Sequence, residues 1–129
     1  MTVYVDDARH QFGRMIMCHM WADSLEELLE MASRIGLDSN WIQGHPTLSE
    51  GKARKASWLH FDISLTMKAM ALLAGAVQTD KYGPVEHVAR LDLASGNPEL
   101  VARGRKRLAQ VEACRKLPRR MWLSDLAAL

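Results

Sequence analysis

Three aspartates and two histidines in the first half of the chain are of the types, and near the spacings, that bind metals and move protons. Asp6 and Asp7 follow directly on "VYV", His19 sits inside the apolar run "RMIMCHMWAD", and His60 and Asp62 stand two apart in "WLHFDIS". Carboxylates and imidazoles suit a divalent metal, which polarises a phosphoryl oxygen or turns bound water into hydroxide. Asp6, Asp7 and Asp62 are therefore the expected metal ligands. His19 and His60 are the expected catalytic proton carriers, since an unperturbed imidazole titrates near about 6.5. Arg9, Arg14 and Lys68 are placed to meet a phosphate, with Asp23 as a further ligand-binding residue.

Each of these residues also has a purely structural reading. Asp23 and Asp62 both precede predicted helices, where an aspartate accepts from backbone N–H groups left open in the first turn. His19 on a covered strand can be a hydrogen-bonded core residue. Asp6 and Asp7 can belong to a charged turn, although a role facing a ligand or metal is the reading preferred here. The recognised patterns are missing: there is no His-Glu-x-x-His, no phosphate loop and no G-x-G-x-x-G. Cys18 lies in an apolar strand, where a thiol is inert rather than nucleophilic. The eight methionines are read as core filler, not as a copper site.

Positioning these side chains requires elements. "TVYV" reads as a strand followed by a polar turn or loop, "DDARHQFG". "RMIMCHMWAD" is apolar on both alternating faces, the pattern of a central strand covered on both sides. "ADSLEELLEMASRIGL" is the clearest helix: Ser24 and Glu27 have capping-box spacing, Leu25, Leu28, Leu29, Ala32 and Ile35 form a stripe, and Gly36 suits the end. "GHPTLSEGKARKAS" reads as an exposed loop. "WLHFDIS" alternates, with Trp58, His60 and Asp62 on one face. "LTMKAMALLAGA" reads as a mostly buried helix started by Asp62 or Ser64, and "AVQT" as a further strand. After Tyr82 two helices follow, the first opened by Pro84, the second capped by Asn97 with Pro98 behind it. Leu100, Val101, Gly104, Leu108 and Val111 form the second helix's docking stripe. The expected fold is α/β: a small sheet of about three to four strands with flanking helices over residues 1–80, and a helical, basic C-terminal extension over 81–129.

Composition is that of a globular chain: 129 residues, 48% hydrophobic and 25% charged. The two cysteines carry no paired spacing for a disulfide framework or zinc site. No signal-peptide pattern opens the sequence and no run approaches a membrane span, so the cytoplasm is the expected location and no membrane partner is expected. The net charge of +2 is uneven: residues 103–120 hold eight basic side chains against Glu112 alone, +7, which leaves −5 elsewhere. Nucleic acid is accordingly a candidate partner, met by Lys52, Arg54 and Lys55 in the loop and by Arg103, Lys106 and Arg107 on the last helix. Solvated faces are the alternative for both groups.

An ordered set of motifs, "VYVDD", "GRMIMCHMWAD", "SRIGL" with "WIQ" behind it, "HFDIS" and "LLAGAV", resembles the domain of unknown function 4031 family of small bacterial and phage proteins. The resemblance covers residues 2–78. The loop between Trp41 and His60 is longer than that family's, and the segment after Tyr82 has no counterpart in it. The resemblance implies one domain over the matched residues and brings no activity. Two functions thus stand open: a small-ligand or nucleotide site in the α/β domain, with a divalent metal, or a non-enzymatic module that binds nucleic acid or protein through the basic helix.

Overall fold

In the computed structural model, which describes residues 2–122, alternation in the longest strand determines the layering. Strand β3 (Met15–Ala22) sends Cys18, Met20 and Ala22 to one side, and Met17, His19 and Trp21 to the other. It is paired along both edges. β4 (Phe61–Ser64) runs antiparallel along one edge, with Cys18 opposite Ile63 and His19 opposite Asp62. The other edge carries β1 (Val3–Val5) and β2 (His10–Phe12) end to end. β5 (Val77–Gln78) extends the sheet parallel to β1. Five strands stand where three to four were expected. The extra one is β2, read from sequence as turn: it forms a hairpin with β3 through Gly13 and Arg14. Gly13 takes φ 59 while no non-glycine residue among those described is positive, the pattern of a two-residue turn with glycine first.

Between β1 and β2 the edge is interrupted. Val5 faces Met20 and His10 faces Met17, so the four residues Asp6–Arg9 bulge over the two residues Cys18 and His19. The ladder is closed by a side chain: Asp6 N–H donates to the His19 carbonyl at 3.3 Å, while His19 N–H donates to Asp6 Oδ1 at 2.9 Å.

Helices cover one face of the sheet. α1 (Leu25–Arg34) starts as its capping box requires, Glu27 N–H donating to Ser24 Oγ at 3.2 Å. Its Leu28, Met31 and Ala32, with Ile35 beyond, are buried against Val3, Val5, Cys18, Met20, Phe61 and Ile63. α2 (Leu65–Leu73) is capped by Ser64, whose Oγ accepts from Met67 N–H at 3.2 Å. Ser24 and Ser64, not Asp23 and Asp62, are therefore the caps. α2 departs from expectation: Ala71 is its one buried residue, and Leu65, Met70, Leu72 and Leu73 are exposed, Leu73 by 91%. A helix apolar all round carries no sign of which stripe will be covered. Nor is β3 covered on both sides throughout, because Met15 is exposed.

The loop of residues 44–57 is organised around buried Ser49, whose Oγ donates to the Ile42 carbonyl and accepts from His45 N–H at 2.9 Å. Gln43 and His60 exchange backbone hydrogen bonds at 2.8 and 3.3 Å, stitching the loop's start to the strand beyond it.

The chain divides into two compact units between Lys81 and Tyr82. The second holds α3 (Gly83–Ala94) and α4 (Pro98–Arg115), the latter capped by Asn97 with Pro98 in its first turn. They pack closely because Gly104 has no side chain: a Cβ there would lie 2.6 Å from the Ala89 carbonyl oxygen. A bidentate Arg103–Asp92 pair, at 2.9 and 3.0 Å, locks the two together. No helix among the described residues is long and apolar enough to cross a membrane.

Candidate metal centre

The sheet face opposite the helices is polar and aromatic, and three histidines meet on it. His19 is in the middle of β3, His10 opens β2 and His60 immediately precedes β4. Register brings them together: His10 pairs with Met17, two residues from His19, and His19 pairs with Asp62. Nε2 of His10, His19 and His60 lie 3.8, 3.8 and 3.6 Å from one atom, Asp62 Oδ1. The other oxygen of Asp62 accepts from Gln43 Nε2 at 2.5 Å, whereas Oδ1 is buried and has no hydrogen-bond partner among the described residues.

The tautomers follow from the partners of the opposite ring nitrogens. His19 Nδ1 lies 2.7 Å from Asp6 Oδ2. An ionised carboxylate only accepts, so Nδ1 carries the hydrogen and Nε2 the lone pair. His60 Nδ1 lies 3.1 Å from the Trp58 carbonyl, which also only accepts. Two imidazole lone pairs and a carboxylate oxygen therefore share one small volume. With both rings neutral, acceptors at such distances repel unless a proton or a metal cation lies among them. Donor atoms of His10, His19 and Asp62 all fall within 4.8 Å of one another. Two ligands about 2.1 Å from a tetrahedral ion are about 3.4 Å apart, a little closer than the spacings found here.

Electrostatics separate the roles of the histidines. Burial disfavours the His19 imidazolium, but the hydrogen bond and charge of Asp6, with the charge of Asp62, more than offset this and raise its pKa above the ordinary value. His60 goes the other way: burial lowers its pKa despite the Trp58 carbonyl and Asp62. Its ring also stacks on Trp58, centroids 4.1 Å apart. Burial, reinforced by Asp6, pushes the Cys18 thiol up to about 11, which suits the inert role expected of it.

The sequence-predicted residues divide accordingly. His19, His60 and Asp62 converge. Asp6 is 1% exposed and stands behind His19, on its Nδ1 side, accepting also from Ala8 N–H at 3.2 Å. Asp7 is engaged elsewhere, by Gln78 Nε2 at 2.8 Å and Lys68 Nζ at 3.8 Å, so Lys68 faces a carboxylate. Asp23 accepts from Tyr4 OH and Thr2 N–H, each at 3.1 Å, past the opposite end of β3. Arg9 and Arg14 are exposed. His10 and Gln43, which the fold brings against Asp62, were not among the expected site residues. The Gly-Arg pair between "HQF" and "MIM" was the available signal for His10, because a two-residue turn starting with glycine makes those segments a hairpin.

Among the basic residues, Arg54 Nε donates to the Ser49 carbonyl at 2.7 Å and helps to fold its own loop. Lys52 and Lys55 are exposed beside it. On α4, Arg103 is committed to Asp92, Lys106 is exposed and Arg107 half-buried.

A family model described as protein of unknown function (DUF4031) matches residues 3–91, and the chain belongs to that family. The match runs past residue 78 and takes in most of α3, a segment for which the sequence motifs offered no counterpart. No curated protein and no solved structure matches the chain.

Proposed function

Membership of a family without an assigned activity leaves the chemistry to the geometry, and we propose that this protein binds one divalent transition-metal ion through His10 Nε2, His19 Nε2 and Asp62 Oδ1 and uses it in hydrolysis. The observation that carries the reading is Asp62 Oδ1, without a hydrogen-bond partner among the described residues and ringed by three imidazole nitrogens. Two nitrogens and one carboxylate oxygen suit zinc and its neighbours rather than magnesium or calcium, which take oxygen shells. Three protein ligands also leave a position open, as catalytic sites do. Bound there, the ion would supply an acidified water.

The chain's own residues do the rest. Asp6 holds His19 in the tautomer that presents Nε2, the carboxylate–histidine arrangement that orients metal ligands. Gln43 fixes the second oxygen of Asp62. His60, kept neutral by burial and fixed by the Trp58 carbonyl, offers a lone pair beside the site and is the proton acceptor.

Titration of the chelator-stripped protein with Co2+ and Zn2+ tests this, cobalt absorption reporting the ligand set. One equivalent is expected to bind, and Asp62→Asn or His19→Gln to weaken it by more than about a hundredfold, beyond the loss from removing an outer-shell partner. Zinc at one hundred times its dissociation constant should stabilise the fold by about 2.7 kcal/mol. His60→Gln should retain the metal and lose turnover of a chromogenic ester. Binding indifferent to Asp62→Asn would overturn the reading.

A further inference from the structure

The histidine cluster opens onto a cleft of about 360 Å³ lined by His10, Phe12, Met15, Met17, Trp41, Gln43 and Asp62. Its polar groups are His10 and Asp62, two of the three groups of the candidate metal centre, and Gln43. The remaining walls are Phe12, Met15, Met17 and Trp41. Phe12 is 67% exposed and Trp41 59%, with Met15 also exposed. Large apolar side chains scattered singly over a surface mean little, but four converging on one concavity are the usual make-up of a small-molecule site. The lining holds no lysine or arginine among the described residues, Arg9, Arg14 and Lys68 included, so no guanidinium or ammonium lines the cleft to meet a phosphate. Trp41 and Phe12 offer ring faces, and the methionines offer polarizable thioethers that adapt to a ring edge.

We propose that the ligand of this cleft is a small, uncharged aromatic ring carrying one oxygen donor, with the ring between Phe12, Met15 and Trp41 and the donor directed at the His10–His19–Asp62 centre. The specificity-determining residues are thus Phe12 and Trp41. This refines the metal-centre reading and rests on it for the donor end alone. It replaces the nucleotide or phosphorylated ligand expected from the sequence. That expectation counted basic residues that the fold directs elsewhere: Lys68 faces Asp7, and Arg9 and Arg14 lie outside the cleft lining.

Two hydroxamates that present the same donor atoms separate the ring's contribution from the metal's. With the Co2+-loaded full chain, benzohydroxamate is expected to bind at least about tenfold more tightly than acetohydroxamate, since burying a ring is worth more than the 1.4 kcal/mol that a factor of ten represents. Inorganic phosphate should not compete at similar concentrations. The double variant Phe12→Ser, Trp41→Ser should bind Co2+ as before and lose the preference between the two probes. Equal affinities on a cobalt-loaded protein, or phosphate binding more tightly than benzohydroxamate, would overturn the ligand class while leaving the metal reading intact. If cobalt fails to bind, the metal reading falls and the ring site is decided on the metal-free chain. Titration with indole should then shift the NMR signals of the Phe12 and Trp41 side chains, and no shift there overturns the proposal.

Discussion

Asp6 shows how a carboxylate serves a site without entering it. A fully buried carboxylate is costly unless its acceptor sites are filled, and Asp6 fills them with two backbone N–H groups and the His19 ring. Asp6→Asn retains an oxygen for the two amides but sets an NH2 group against His19 Nδ1–H. The ring is then expected to move its hydrogen to Nε2, where a metal would bind. Cobalt affinity should fall by about 10–100-fold, with unchanged circular dichroism and an altered 15N signal of the imidazole. Unchanged affinity would mean that Asp6 only closes the bulge. The sequence pointed to His19, His60 and Asp62 through their residue types, with alternation placing each on a strand face. It did not show that Asp6 and Asp7 part, Asp6 towards His19 and Asp7 towards Gln78 and Lys68. Neighbouring carboxylates on an irregular edge need not share a direction, and that irregularity is set by pairing with β3, not by local composition.

At the scale of elements, the loop of residues 44–57 works as a buttress for the histidines. Gly44 takes φ 85, and a Cβ there would sit 2.3 Å from the Trp58 carbonyl oxygen, the atom that fixes the His60 ring. Gly44→Ala combines a left-handed conformation with backbone overlap, a cost of about 1–3 kcal/mol, and should show a lower urea midpoint with altered tryptophan fluorescence as Trp58 shifts from His60. A wild-type midpoint would show that the loop yields without loss. The helices with clear signals, α1 with its capping box and α4 behind Asn-Pro, were legible from sequence. β2 was not: three residues with a polar glutamine at the centre have too little pattern, and their pairing partner determines them. α2 was legible as a helix and misjudged in burial, because Leu65, Met70, Leu72 and Leu73 are apolar whichever way the helix turns.

Across the whole molecule, the two units rest on different physics. The first has an apolar core between sheet and helices. The second is two helices clasped by ion pairs, Asp92 with Arg103 and Glu86 with Arg115, while Arg90 meets Glu86 along α3 itself. Burial alone would raise the Glu86 carboxyl, but Arg115 and Arg90 outweigh it and hold its pKa below the ordinary value. A carboxylate depressed in the folded state stabilises fully above its unfolded pKa, near about 4.3, and that contribution drains away as pH falls through the folded value. Amides of α3 and α4 are therefore expected to lose hydrogen-exchange protection on acidification below about pH 4. Glu86→Gln should lack that part of the acid dependence. Identical acid profiles for wild type and Glu86→Gln would count against these pairs.

The bulge at Asp6–Arg9 has a consequence of arithmetic. A strand is a two-sided counter: each added residue turns all that follow to the other side. The edge gains two residues between Val5 and His10 relative to the stretch of β3 it faces, an even number, so His10 and Phe12 return to the side they would have held in an unbroken hairpin. Removing both Ala8 and Arg9 should preserve that parity and leave β2 paired as before. Removing Arg9 alone leaves the Gly13–Arg14 turn that pairs His10 with Met17. The odd residue should then be absorbed as a three-against-two bulge with His10 still on the cleft side, and cobalt binding should persist. Its loss would show that the detour and not the turn sets the face. The two-residue turn at Gly13 and Arg14, more than the length of the detour, decides which side chains of this edge face the cleft.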